Sequence, residues 1–334
     1  MVKALIVKTQ GGEFELGEWE RPVPTGHEIL IKNVVVALNP VDWKQIKYNI
    51  AVPQWPVVVG ADTAGIVEEV GPEVTDFQPG DRVFSYSKIG SNNYGTFAEY
   101  SLILDNVSSK IPPNLSFEEA ATLPLGVLTS AVALYHELKL ARPREHQTFF
   151  RPEYILIWGG SSSTGTYAIQ LAKLSGYTVI TTASPHNTEY LQSLGADIVL
   201  DRNDPDIVAN IRKITSGKLR YAYDTVSSNT AELAAQALDQ DRKTYLSVIA
   251  GSPAGNYPKV ELRQTVTGVI YNDAGEFGHD FYQELYGLLE AGLIRPNRYE
   301  VLPNGLAGIP EGEARLAAGK VSGVKLVVRV AETP

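Results

Sequence analysis

The chain contains no cysteine. Composition alone therefore excludes a disulfide framework, a thiolate zinc site and a catalytic cysteine. Histidine is sparse: His27, His136, His146, His186 and His279 show no metal-ligand spacing. No bound metal is expected. Basic charge is also short, with 29 Lys+Arg against 38 Asp+Glu and a net charge of −9. That balance argues against nucleic acid or an anionic membrane as the main partner. No apolar run approaches a membrane span. Internal repeats and low-complexity segments are absent. The opening Met1–Lys8 (MVKALIVK) reads as a short strand rather than a secretory leader. The expected compartment is the cytoplasm.

What is present fits a globular protein of two domains. The chain has 334 residues, 44% hydrophobic and 20% charged. The first part, to about Ile111, reads as β-rich: Glu28–Leu38, Asp62–Val70, a turn and strand in Phe77–Phe84, and Thr96–Leu104. Ser116-Phe-Glu-Glu119 matches a capping box, and a helical pattern follows through Leu138, broken at Pro124. Ala141–Glu153, rich in Arg and Pro, reads as an exposed loop.

Strands and helices then alternate. Expected strands are Tyr154–Trp158, Tyr177–Thr182, Asp197–Leu200, Arg220–Asp224, Lys243–Ile249 and Thr265–Tyr271. Expected helices between them are Thr164–Ser175, Asn187–Leu194, Pro205–Thr215 and Asn229–Asp239. This alternation predicts a parallel, doubly wound sheet with helices on both faces. A helix over Phe277–Ala291 and a strand over Val324–Val330 close the chain.

Tyr154-Ile-Leu-Ile-Trp-Gly-Gly-Ser-Ser-Ser-Thr-Gly165 reads as strand, Gly/Ser-rich loop, helix start. Small residues let backbone approach a pyrophosphate, whose charge suits the helix N-terminus. Gly159 and Gly165 keep the outer glycines of the dinucleotide pattern, and Ser162 replaces the middle one. The next strand leads into Ser184-Pro-His-Asn187, with no acid before Glu189. A carboxylate there would accept from a ribose 2′-OH; its absence, with Ser, His and Asn as donors, favours a 2′-phosphate and hence NADPH. Arg202, after the following strand, can reach the same phosphate, with a plain surface arginine the equal alternative.

Asn39-Pro-Val-Asp-Trp-Lys44, Gly60-Ala-Asp-Thr-Ala-Gly65, Gly80-Asp-Arg-Val83 and Leu194-Gly-Ala196 resemble the medium-chain dehydrogenase/reductases. The resemblance spans nearly the whole chain. It implies an α/β protein: a GroES-like, β-rich catalytic domain (1–120 and 275–334) interrupted by a Rossmann NADPH-binding domain (121–274). Zinc members place a Cys within the segment here occupied by Asn39–Asp42, and His-Glu where this chain has Ala61-Asp62. The zinc-free branch is therefore the nearer one. Within it, Gly159–Thr164, Ser184–Asn187 and Ser322–Arg329 resemble the fungal trans-acting enoyl reductases of polyketide pathways.

That resemblance implies cofactor contacts at Val41, Asp42, Trp43 and Lys44, and at Ser161, Ser162, Ser163 and Thr164. It adds Ser184, Pro185, His186 and Asn187, then Ile249, Val324 and Lys325. Substrate contacts fall at Ser130, Leu134 and Tyr135, and at Gly268, Val269, Ile270, Tyr271 and Asn272. The implied reaction is conjugate reduction of an α,β-unsaturated carbonyl. Lys44, expected in a loop after the long strand, is the first candidate for the donor to the enolate oxygen or for nicotinamide positioning, and Thr129 the second. Tyr135, Tyr271 and water are the candidate proton sources. Rival readings are an NADPH:quinone oxidoreductase, in which Tyr commonly stands at the Lys44 position, a non-redox pathway enzyme and a non-catalytic NADPH-binding protein. The expected partner is a small or carrier-tethered unsaturated substrate, with a polyketide synthase as its source. Lys139, Arg142, Arg144 and Arg151 are the local basic cluster. The protein is expected as a monomer or as a homodimer paired through the edge strand Thr265–Tyr271.

Overall fold

The computed structural model describes residues 1–143, 153–272 and 274–334. The expected basic residues Arg144 and Arg151 lie outside them. The chain divides into two compact units: Met1–Leu125 with Gly268–Pro334, and Gly126–Thr267.

The first unit is built on two sheets. Strands β1 (Val2–Val7), β2 (Phe14–Trp19) and β4 (Val57–Val58) form the smaller, ordered β2-β1-β4. The larger contains β3 (Glu28–Ala37), β5 (Asp62–Val70), β6 (Arg82–Tyr86), β7 (Tyr100–Leu104), β8 (Ser108–Lys110), β15 (Tyr299–Leu302) and β16 (Lys325–Arg329). Its order is β15-β16-β3-β5-β6-β8, with β7 also pairing β3. The β3–β5 ladder slips between Asn33 and Val35. Asn33 is buried there, donating to Ala98 O at 2.8 Å and accepting from Thr63 Oγ at 2.6 Å. Such a bulge re-aims the strand, and the buried amide is satisfied.

Among the described residues four α-helices belong wholly to this unit. They are α1 (Pro40–Tyr48), α2 (Phe117–Ala121), α8 (Gly275–Glu290) and α9 (Ile309–Ala317). The Ser116 capping box is present: Glu119 N–H donates to Ser116 Oγ at 3.1 Å, and Ser116 N–H to Glu119 Oε2 at 2.9 Å. Neither β15 nor α9 is predicted by the sequence pattern. The segment expected as a loop after β3 is α1. Asn39 takes the N-cap position and Pro40 the first helical one, where a missing N–H costs nothing.

The second unit carries one parallel sheet: β9 (Tyr154–Trp158), β10 (Thr178–Ala183), β11 (Ile198–Asp201), β12 (Tyr221–Asp224), β13 (Thr244–Val248) and β14 (Val260–Gln264). The order is β11-β10-β9-β12-β13-β14, every pair parallel. Numbered from β9, this is 3-2-1-4-5-6, the doubly wound dinucleotide-binding order. The connections carry α4 (Ser163–Leu174), α5 (Thr188–Ser193), α6 (Ile207–Ile214) and α7 (Ser228–Ala237). Leu156, Trp158, Leu246 and Val248 pack with Ile207, Ile211 and the alanines of α7 as a buried core.

One strand differs from expectation. The sheet ends on Val260–Gln264, and Thr267–Tyr271 is a 3-10 helix. The real edge strand, VELRQ, is mostly exposed and polar, so it lacks the apolar pattern that TVTGVIY shows. A second difference lies in α3 (Pro124–Ala131), which begins at the expected breaker and runs straight into a π-helical turn, Val132–Glu137. Single π turns are rare and concentrate at functional segments. Among the described residues no helix is long and apolar enough to cross a membrane.

Candidate active site

In the second unit the β9–α4 turn is built for close approach. Gly159 has φ +81°, and a Cβ there would lie 2.4 Å from a Val226 methyl. A Cβ on Gly165 would lie 2.3 Å from Gly159 O, a backbone atom that cannot yield. Ser162 caps α4 by accepting from Gly165 N–H at 2.9 Å. Its hydroxyl also sits 2.9 Å from Thr225 Oγ, which in turn bonds Trp158 O. Thr225 escaped the sequence reading because only the parallel β9–β12 pairing brings it here. The turn thus holds Ser161–Thr164 at the start of a twelve-residue helix, where first-turn N–H groups suit an anion.

Ser184–Asn187 follows β10 as a short 3-10 turn. His186 is exposed, and its Nε2 lies 3.2 Å from Asn187 Nδ2. Parallel pairing sets Ala183 opposite Asp201, and Arg202 N–H donates to Ala183 O at 3.0 Å. Arg202 therefore stands beside Ser184, its side chain exposed. The Asp201 carboxylate is turned into its own loop, accepting from Asn203 N–H at 3.0 Å. Ile249, half-buried after β13, donates its N–H to Asp224 O at 3.1 Å.

Ser130 on α3 joins this group: its Oγ is 2.7 Å from Thr164 O and 2.9 Å from Gly126 O. Thr129 is buried beside it in sequence. Leu134 and Tyr135 fall in the π turn and are buried. The Tyr135 hydroxyl bonds Leu171 O at 3.1 Å and Ser175 Oγ at 3.0 Å, anchoring the turn on α4. Lys139 is exposed and Arg142 half-buried.

In the first unit, Val41–Lys44 lie on the first turns of α1 rather than in a loop. Lys44 is half-exposed, with its ammonium 5.6 Å from the centroid of the Trp43 ring. Behind them is a buried polar network that the sequence reading did not assemble. Lys325 Nζ, on β16, lies 2.9 Å from Asp62 Oδ2 and also bonds Asn39 Oδ1. Asn39 Nδ2 donates to Asp62 Oδ2 at 2.9 Å, and Leu125 N–H to Asp62 Oδ1 at 2.7 Å. Asn39 N–H donates to Asp42 Oδ2 at 2.7 Å. Burial drives the Asp42 carboxyl up to about 8; the nearby Asp62 charge adds to this, while the Asn39 hydrogen bond and Lys325 oppose it. Val324 is half-buried before Lys325.

Gly268–Tyr271 lies in the 3-10 helix and Asn272 follows it. Ile270 is buried. The Tyr271 ring stacks on Tyr86, centroids 5.8 Å apart, and its hydroxyl donates to Tyr86 O at 3.2 Å. Burial holds that hydroxyl well above the usual tyrosine range.

Comparison with known proteins gives this arrangement a family. Residues 25–113 match the alcohol dehydrogenase GroES-like domain, and residues 163–285 match the family described as zinc-binding dehydrogenase. A trans-enoyl reductase of Alternaria alternata is 36% identical, covering 98% of both chains. One from a Fusarium species is 37% identical over 96% of this chain and 97% of its own. The chain belongs to the trans-enoyl reductases, within the medium-chain dehydrogenase/reductase superfamily. Its fold matches that of an alcohol dehydrogenase superfamily protein from Novosphingobium aromaticivorans, with TM-score 0.85 at 23% identity, covering 99% and 100% of the two chains.

Family membership makes this trans-enoyl reductase homologue an oxidoreductase with a nicotinamide cofactor, and its parallel sheet fits one. The glycine turn leaves no room for side chains where a pyrophosphate would approach. Zinc, which one family description implies, does not fit. By the resemblance, the positions of the zinc members' Cys and His-Glu pair fall within Asn39–Asp42 and at Ala61-Asp62, and here the Asp62 carboxylate is paired with an ammonium. Among the described residues no group of three or more His, Cys, Asp or Glu could hold a metal ion.

Proposed function

We propose that this protein is an NADPH-dependent reductase of α,β-unsaturated carbonyl substrates, acting in trans within a polyketide or related secondary-metabolite pathway. The observation that carries the reading is the full-length similarity to trans-enoyl reductases. The Gly126–Thr267 unit is assigned to the cofactor and the β-rich unit to catalysis. When bound, NADPH supplies the hydride for the substrate β-carbon. Ser161–Thr164 bind the pyrophosphate through the α4 N-terminus. Ser184, His186, Asn187 and Arg202 bind the 2′-phosphate, with no carboxylate in Ser184–Asn187 to repel it. Val41–Lys44, Ile249, Val324 and Lys325 complete the cofactor contacts.

Lys44 is assigned as the cation facing the enolate oxygen, worth about 10²–10³ in rate for a donor of this kind. Thr129 is the second donor. Ser130 and Gly268–Asn272 contact substrate, joined by Leu134 and Tyr135 through the π turn. The Tyr135 and Tyr271 hydroxyls already bond backbone carbonyls. Water is therefore the better source for the α-carbon proton. The substrate is carried by a synthase-tethered carrier, for which Lys139 and Arg142 offer a cationic approach. If two copies pair through a sheet edge, the strand is Val260–Gln264.

The test is NADPH oxidation against an enoyl thioester, a small quinone and no acceptor. Turnover with the thioester supports the proposal; turnover with the quinone alone transfers the chain to quinone reduction.

A further inference from the structure

Three carboxyls and one ammonium are enclosed together in the β-rich unit. Asp62, Asp42 and Lys325 belong to the network described above. The third acid is Glu313 on α9, which packs against α1. Asp42 and Asp62 are fully buried, Glu313 is 3% exposed and Lys325 4%. Lys325 is committed to Asp62 and Asn39. Asp42 Oδ1 accepts no hydrogen bond, and the Glu313 oxygens have no well-formed one, the nearby Trp43 backbone N–H giving that carboxyl only a weak pull. Two buried carboxyls thus remain with no cation of their own.

The rest of the joint offers no substitute. Leu38, Leu302 and Leu326 line α9 at Gly312. Arg315 of α9 is turned away, held bidentate by Glu300 at 2.7 Å. Lys44 and Lys47 of α1 lie against the Trp43 ring, their ammonium groups 5.6 and 5.7 Å from its centroid. The groups facing Glu313 are therefore Asp42, Lys325 and, behind Lys325, Asp62. Two ionised carboxylates here would repel across a dry contact, with a cost far above that in water.

We propose that the buried Asp42–Glu313 pair carries at least one proton, and that this proton keeps α1 docked on α9 with Lys44 correctly presented. Both are positioning residues, acting through α1; the link to catalysis rests on the reading of Lys44 above. Burial, then the Asp42 charge, push the Glu313 carboxyl well up, against the pull of Lys325 and the Trp43 backbone N–H. Full deprotonation of the pair puts like charge on both sides of the α1–α9 contact. It also strains the Asp42–Asn39 bond that caps α1.

The sign follows from a folded state that binds more protons than the unfolded chain. The contribution of this pair to stability is greatest at acid pH. It declines as pH rises from the ordinary carboxylate range through about 8, where Asp42 titrates. Replacing Glu313 by Gln leaves a neutral group there, so an ionised Asp42 no longer faces a second carboxylate across the α1–α9 contact, although its own burial still holds it up. Glu313→Leu tests the same idea by removing the repelling acid.

The experiment compares wild type, Glu313→Gln and Glu313→Leu across pH by three readouts: the infrared band of protonated carboxyls, the melting temperature and NADPH affinity by fluorescence. Wild type should show a protonated-carboxyl band that titrates out near pH 8. Its melting temperature should fall as pH rises from the ordinary carboxylate range to about 8. NADPH affinity should fall by up to about tenfold per pH unit above it, the limit for one linked proton. Both variants should lose the Glu313 share of the band and show a clearly smaller pH-dependent fall in melting temperature and NADPH affinity, while the buried Asp42 still titrates. An unchanged pH-dependent fall in both variants, or no such band in wild type, overturns the proposal. Enoyl turnover is assayed separately on the same proteins, and its absence in all of them would count against the functional reading alone, because the band and the melting curve need no substrate.

Discussion

Lys325→Met removes the one cation that the described residues place in the buried network, while keeping an apolar stem of similar length. Asp62 would retain its bonds from Asn39 Nδ2 and Leu125 N–H. It would lose its counter-ion at 2.9 Å, and Asn39 Oδ1 would lose its donor. Breaking one partner of a buried pair costs about 3–5 kcal/mol, since the remaining charge is left uncompensated. For a unit of this size each kcal/mol shifts the melting temperature by about 2–4 °C. The predicted loss is therefore roughly 6–20 °C by calorimetry or thermal fluorescence. Lys325→Met combined with Asp62→Leu should recover most of it, because an apolar pair of similar volume is often neutral. A single variant melting within about 2 °C of wild type would show that the pair carries no such energy and that the network is solvated.

Other outcomes follow from the same assignments. Lys44→Ala should lower kcat on an enoyl substrate at least about tenfold while the fold survives, since a half-exposed helix lysine adds little stability; kinetics and circular dichroism check both. NADPH should bind at least about tenfold tighter than NADH, and Ser184→Asp should erode that preference by repulsion of the 2′-phosphate, as fluorescence titration would show. Chelation with EDTA should leave activity and melting temperature unchanged, and stoichiometric zinc in the purified protein would contradict the donor-set argument.

The nucleotide-binding half was legible because its signals are local. Alternating strands and helices and a Gly/Ser-rich turn each lie within a short window, and β9 matches the predicted strand residue for residue. The edge strand was misplaced because Val260–Gln264 is mostly exposed and polar, whereas Thr265–Tyr271 has strand-like composition but its Thr267–Tyr271 part coils as a 3-10 helix. Helix α1 was read as a loop although Asn39 and Pro40 are favourable at its first positions. The buried network joins residues 23 and 286 apart in sequence, a separation that no local pattern encodes. Lys325 was found through family resemblance, but its partners Asp62 and Asn39 needed the β3–β5 and β3–β16 pairings. Glu313 carried no signal: Pro310–Arg315 holds two acids, Glu311 and Glu313, with nothing to set them apart, and only packing buries the second.

The central claim is conjugate reduction by NADPH, and one assay tests it most directly. The purified protein is mixed with NADPH labelled with deuterium at the nicotinamide C4 position and an α,β-unsaturated thioester, and the product is analysed by mass spectrometry and NMR. The account predicts a saturated thioester with deuterium on the β-carbon and a solvent proton on the α-carbon. Unreduced thioester alongside rapid oxidation of the cofactor by a quinone would contradict it.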